Sequence, residues 1–127
     1  MTEEFQPPPH SFVSKFKCAF RGIALGVRDQ SSFLVHLVAV ILVVVAGVWL
    51  QVTSIEWCLL ALGIAFVLTL ELINSSIESL AKAVDRHHNE KLRDALDIAS
   101  GAVLVSAIGS AVIGAVILLP RLLQIFE

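Results

Sequence analysis

Charge is scarce in this sequence, and neither sign dominates. Of its 127 residues 16% are Asp, Glu, Lys or Arg, and the formal net charge at pH 7 is −2. No dense basic patch appears, so the chain has no electrostatic footprint for nucleic acid. Cysteine is nearly absent too. Cys18 and Cys58 are the only two, and the topology argued below puts them on opposite sides of a membrane, which excludes a disulfide or a shared metal. There is no GxxxxGK[S/T] phosphate loop and no GxGxxG fingerprint, so a nucleotide would need another kind of site. The N-terminus lacks the basic stretch and apolar run of a secretory signal. It is acidic and Pro-rich (Glu3, Glu4, Pro7, Pro8, Pro9), and residues 1–10 are expected to be a disordered lead-in.

Apolar residues are what the chain has in quantity: 57% of the sequence, with a mean hydropathy of +0.85. One short soluble core cannot hide that much apolar surface, so lipid must be part of the solvent. Three runs are long enough to cross it, at about 33–50, 57–78 and 100–120, the last free of charge from Gly101 to Leu119 and expected to close at Pro120. Backbone polar groups in lipid must be satisfied internally, so all three are helices. Before them, Ser11 is placed to cap a helix over 11–30. In it Phe12, Phe16, Ala19, Phe20, Ile23 and Val27 share one face and Lys17, Arg21 and Arg28 another. That pattern fits a helix lying in the membrane surface. The competing reading is an amphipathic helix packed on protein. The expected fold is thus an all-α membrane protein with three transmembrane helices and an N-terminal amphipathic surface helix.

Orientation follows from Lys and Arg. Lys15, Lys17, Arg21 and Arg28 precede the first span, and Lys82, Arg86, Lys91 and Arg93 lie between the second and third, whereas 51–56 carries neither residue type. The N-terminus and the 79–99 connection are expected in the cytoplasm, with Trp49 and Trp57 at the outer interface. Only Arg121 opposes this. The third span also carries Ser106, Ser110 and Gly114 at spacing four, which lets helix backbones approach closely. The same face serves homo-oligomerisation or packing within the chain equally well.

The second span holds the candidate chemistry. Glu71, Asn74 and Glu78 stand at i, i+3 and i+7, on one helix face. Counted inward from Trp57, the inner boundary falls near Ile77, so Glu71 lies roughly 9 Å inside the hydrocarbon edge and Glu78 at the wet edge. A carboxylate at that depth costs about 3 kcal/mol on insertion scales. It persists only with a partner or a task. The readings are a catalytic base, a packing hydrogen bond between helices, or a proton or ion relay. His87 and His88 are adjacent and diverge on a helix, which suits solvated loop residues better than a zinc site. His36 reads as an interface residue near the start of the first span.

At these residues the chain resembles the small bacterial integral-membrane diacylglycerol kinase family, which includes the undecaprenol kinases. The match rests on Glu71-Leu-Ile-Asn74-Ser-Ser-Ile-Glu78, on Asp97-Ile-Ala-Ser-Gly-Ala-Val-Leu104 and on Ala19-Phe-Arg-Gly-Ile23, and extends from about residue 11 to 119 without a gap. The resemblance implies phosphoryl transfer from ATP, with Mg2+, to the hydroxyl of a lipid (diacylglycerol or undecaprenol) in the bacterial inner membrane. It also implies a homotrimer with active sites between subunits. By that resemblance Glu71 is the base and Asn74 orients the site. Glu78 holds the metal, with Gln30 at the position of a second metal ligand. His87, His88 and Asp97 contact the nucleotide, and Ala19 and Arg21 join Glu71 near the lipid.

The chain departs from the family pattern at four places. Gln30 stands where a metal-binding glutamate is usual, Leu96 where a lysine is, Lys82 where an acidic residue is, and Ser11 where an arginine is. A neutral amide binds a hard cation less strongly than a carboxylate, and losing the lysine removes a phosphate partner. The alternative to an active kinase is therefore a catalytically inactive relative with a structural or regulatory membrane role.

Overall fold

The computed structural model describes residues 11–28, 31–84, 87 and 89–127. These form four helices: α1 (Phe12–Arg28), α2 (Ser31–Trp49), α3 (Ser54–Val84) and α4 (Glu90–Gln124). The expected lead-in at 1–10 lies outside the described residues. Polar side chains set three of the starts. Ser11 Oγ accepts from the Ser14 backbone N–H at 3.2 Å, capping α1. Thr53 and Glu56 form a reciprocal capping box at α3. The Thr53 N–H donates to Glu56 Oε2 at 2.6 Å, and the Glu56 N–H donates to Thr53 Oγ1 at 3.4 Å. Asn89 Oδ1 accepts from the Leu92 N–H at 3.2 Å at the start of α4.

Among the described residues, α2, α3 and α4 are each long and apolar enough to cross a membrane. The protein is a multi-pass membrane protein. α3 has 31 residues and α4 has 35, about 46 and 52 Å at 1.5 Å per residue, against a hydrocarbon core of about 30 Å. Both helices therefore continue beyond the lipid, and neither ends where its apolar run ends.

Pro120 does not close the last helix: α4 runs through it to Gln124. Proline lacks an N–H and forfeits one intrahelical bond, but the turn after it is tied down by Arg121. Arg121 Nη2 donates to Glu56 Oε2 at 2.6 Å, and Nη1 lies 3.4 Å from the carbonyls of Leu50 and Gln51. Arg121, the one cation against the charge asymmetry, is thus neutralised by Glu56 in the first turn of α3. In that loop Gln51 adopts a left-handed φ of 52°, which turns the chain from α2 into α3.

α3 is the central helix: 33% of its most apolar stretch is buried, against 11% for α2. Its main partner is α4. At Gly63 an added Cβ would stand 3.2 Å from Ser110 Oγ, and that hydroxyl donates to the Gly63 carbonyl at 3.0 Å. The small-residue face of α4 is therefore used within the chain at Ser110, where the sequence left two uses open. α2 crosses at Gly47, where a Cβ would meet the Trp57 ring at 2.7 Å. Val52, Leu60 and Ile117 form a buried cluster there, with Trp57 packed against it. Most other large apolar side chains are exposed, Leu34, Ile41, Phe66, Ile108 and Val116 among them, as a lipid-solvated bundle requires.

Candidate active site

α3 brings Glu71, Asn74 and Glu78 to one face in its C-terminal half. Glu71 is 1% exposed, the only large side chain among the described residues that is fully buried. Asn74 is 6% exposed and Glu78 half-buried. The Asn74 amide donates through Nδ2 to Glu78 Oε1 at 2.9 Å, while its Oδ1 is buried with no hydrogen-bond partner among the described residues. The Ser75 hydroxyl donates to the Glu71 backbone carbonyl at 2.9 Å, so it does not compete for the carboxylate.

The Glu71 carboxylate is held from α2. The Ser32 hydroxyl donates to Oε1, and His36 Nε2 stands 3.8 Å from Oε2. The second distance is within ion-pair range and too long for a hydrogen bond. Ser32 and His36 are four residues apart on one face of α2. Sequence reasoning takes His36 as an interface residue and does not single out Ser32. The available signal was two polar residues at i, i+4 at the inner end of an otherwise apolar span.

The remaining expected residues are not gathered at this point. His87 is exposed in the turn between α3 and α4, and Asp97 is exposed on α4. Ala19 and Arg21 are exposed on α1. Gln30 and His88 lie outside the described residues. Lys82 is exposed on α3 one turn beyond Glu78, and Leu96 is half-buried on α4. No group of three or more His, Cys, Asp or Glu forms a ready metal cluster among the described residues. The donors suited to a hard cation are the Glu78 carboxylate and the unpartnered Asn74 Oδ1, both oxygens. Between α1 and α3 runs a groove of about 650 Å³, lined by Gly22, Gly26, Leu72, Ser75, Ser79 and Lys82 among others.

A buried carboxylate, a paired amide and a second carboxylate, aligned from lipid depth toward water, suit proton removal at one end and a cation at the other. Residues 17–118 match the family model described as prokaryotic diacylglycerol kinase. The chain belongs to this family. It is 35% identical over 111 residues to the undecaprenol kinase of Bacillus subtilis, covering 87% of this chain and 90% of that protein. It is 34% identical over 122 residues to the diacylglycerol kinase of Synechocystis, covering 95% and 69%. It is 29% identical over 100 residues to that of Escherichia coli, covering 79% and 82%. Glu71, Asn74 and Glu78 all fall within the family match, and so do Ser32 and His36.

Proposed function

We propose that the protein transfers the γ-phosphoryl group of ATP to the primary hydroxyl of a membrane lipid, diacylglycerol or undecaprenol, on the face of α3 that carries Glu71, Asn74 and Glu78. The observation that carries this reading is Glu71: an acidic side chain 1% exposed, on a helix that spans lipid, in a chain of the prokaryotic diacylglycerol kinase family. An inactive relative has no support, since the relatives compared above are named as kinases.

In this reading Glu71 takes the proton of the lipid hydroxyl, at the depth where a lipid's polar end begins. Asn74 holds Glu78 in place through its Nδ2 and offers Oδ1 to a donor or cation. Glu78 and Asn74 Oδ1 would hold magnesium, with Gln30 a further neutral oxygen. When bound, the metal supplies charge neutralisation at the β- and γ-phosphates, which is most of what phosphoryl transfer requires of a protein. His87, in the turn between α3 and α4, and Asp97 on α4 contact the nucleotide together with His88. Ala19 and Arg21 on α1 border the lipid, and α1 lies in the membrane surface, supported by its exposed Phe12, Phe16 and Phe20. The N-terminus faces the cytoplasm, in the inner membrane of a bacterium. The working unit is a homotrimer, consistent with how little of α2 is buried within one chain.

The test is purified protein with labelled ATP and magnesium, each lipid offered separately. Label is expected in one or both lipids. Glu71→Gln keeps the shape but cannot accept the proton, and should lower turnover about 10²- to 10⁴-fold. Near-normal turnover in that variant would reassign Glu71 to packing.

A further inference from the structure

Taking a proton at Glu71 raises the question of where it goes next. The Glu71 side chain is only 2% exposed, so it cannot hand a proton directly to water. His36, 3.8 Å away, has a side chain 19% exposed and stands one turn from the exposed Ser32 at the polar start of α2, where the span ends. We propose that His36 is the proton outlet of Glu71, a positioning and proton-accepting residue that returns the base to its charged form after each transfer. The inference rests on the reading of Glu71 as the base.

The lipid oxygen forms a bond to the γ-phosphorus as the bond from that phosphorus to the bridging oxygen breaks, and the electron pair leaves with ADP. The lipid hydroxyl proton goes to Glu71 Oε2, since Oε1 is occupied by the Ser32 hydroxyl. It then passes from Oε2 to His36 Nε2, restoring the carboxylate and leaving an imidazolium, whose other ring nitrogen releases a proton toward the polar start of α2; the neutral ring regains its Nδ1–H tautomer before the next transfer. The 3.8 Å separation must close by about 1 Å for this transfer, because proton passage needs hydrogen-bond contact. Ser32 holds Oε1 and so keeps Oε2 turned toward the imidazole.

Few other groups face His36. From α3 it meets Glu71, with Glu78 two turns further along the helix. α4 has no titratable side chain between Asp97 and Arg121, and α2 has none besides His36. The cations of α1 (Lys15, Lys17, Arg21, Arg28) belong to a helix that packs on α3. On its far side His36 borders an apolar cleft of about 150 Å³ with Val40, Gly63, Val67 and Ser110. Among the described residues the imidazole thus has one acidic neighbour, Glu71, and mostly apolar surroundings, an arrangement that suits passing a proton in one direction.

The experiment compares the full-length wild type with Glu71→Gln, His36→Gln, His36→Ala and Ser32→Ala in micelles, measuring kcat and KM for MgATP across pH. Imidazole is the residue type whose charge changes near neutrality. The wild type should show an acid limb in kcat that His36→Gln lacks, with kcat lowered on the order of 10- to 100-fold, as for partners that orient a reacting group, and KM for MgATP unchanged. Added imidazole should restore kcat to His36→Ala, whereas pyrazole, of the same shape but scarcely basic, should not. That contrast separates proton acceptance from packing even if His36→Gln folds poorly. The proposal is overturned if His36→Gln keeps the wild-type kcat and limb while Glu71→Gln is inactive, or if pyrazole rescues as well as imidazole. Normal turnover in Glu71→Gln would overturn the base reading itself, and this inference with it.

Discussion

Replacing Asn74 by leucine separates what the site costs in stability from what it supplies in turnover. Asn74 has a buried Oδ1 without a partner and an Nδ2 that donates to Glu78 Oε1 at 2.9 Å. A buried unsatisfied acceptor costs about 1–3 kcal/mol, and a hydrogen bond to a charged group contributes about 1.5–3 kcal/mol. Leucine is close to asparagine in size and removes both terms together. They oppose each other, so the folded state should change by no more than about 2 kcal/mol. Turnover should fall about 10- to 100-fold, because Glu78 loses the partner that orients it. The assay pairs equilibrium unfolding in mixed micelles with lipid-phosphorylation kinetics on the same preparations. A loss of stability above about 3 kcal/mol would mean that Oδ1 is well satisfied and the accounting wrong. Unchanged turnover would remove Asn74 from the site.

Other expectations concern topology, the outer turn and the nucleotide. Ser54→Cys, with Cys18 and Cys58 replaced by serine, should react with an impermeant maleimide added to intact cells; reaction only after permeabilisation would reverse the orientation. A double-mutant cycle on Glu56→Gln and Arg121→Met should give a coupling of about 0.2–1 kcal/mol that weakens with salt, since the side chains are 25% and 30% exposed. A much larger, salt-insensitive value would mean that lipid rather than water surrounds the pair. Gln30→Glu and Leu96→Lys should each lower the Michaelis constant for MgATP, by adding a charged metal ligand and a phosphate cation. No change in either would take those positions away from the nucleotide.

Local signals made the elements readable. Ser11 caps α1 from its position in the sequence, and three apolar runs announce three helices. The helix ends were not readable from hydropathy, which marks where lipid stops. Past the lipid, Ser79–Val84 and Glu90–Ala99 are rich in good helix formers, so α3 and α4 continue into water. Pro120 reads as a stop but is overridden by the bonds that Arg121 makes in the following turn. The face of Glu71, Asn74 and Glu78 was legible because its spacing lies within one helix. The α2 partners of Glu71 were not. Ser32 is 39 residues away, and its meeting with Glu71 depends on how α2 crosses α3, set by the Gly47–Trp57 contact and the tight outer turn. Neither periodicity nor hydropathy encodes that crossing.

The bonds of Arg121 to Glu56 and to the carbonyls of Leu50 and Gln51 fasten the outer ends of all three spans at one point. At the other end the described residues show a lighter tie, the Ser32 hydroxyl on Glu71 Oε1, and α3 and α4 run on past the lipid. A bundle tied more firmly at one end than at the other moves most easily by pivoting. From Glu56 to Glu71 is fifteen residues, an arm of about 22 Å. A swing of α2 by about 2.5° about the pinned end moves its inner end through an arc of about 1 Å, the gap that separates His36 from hydrogen-bond contact with Glu71. The fastening at Arg121 therefore sets the radius of any such swing at the level of Glu71.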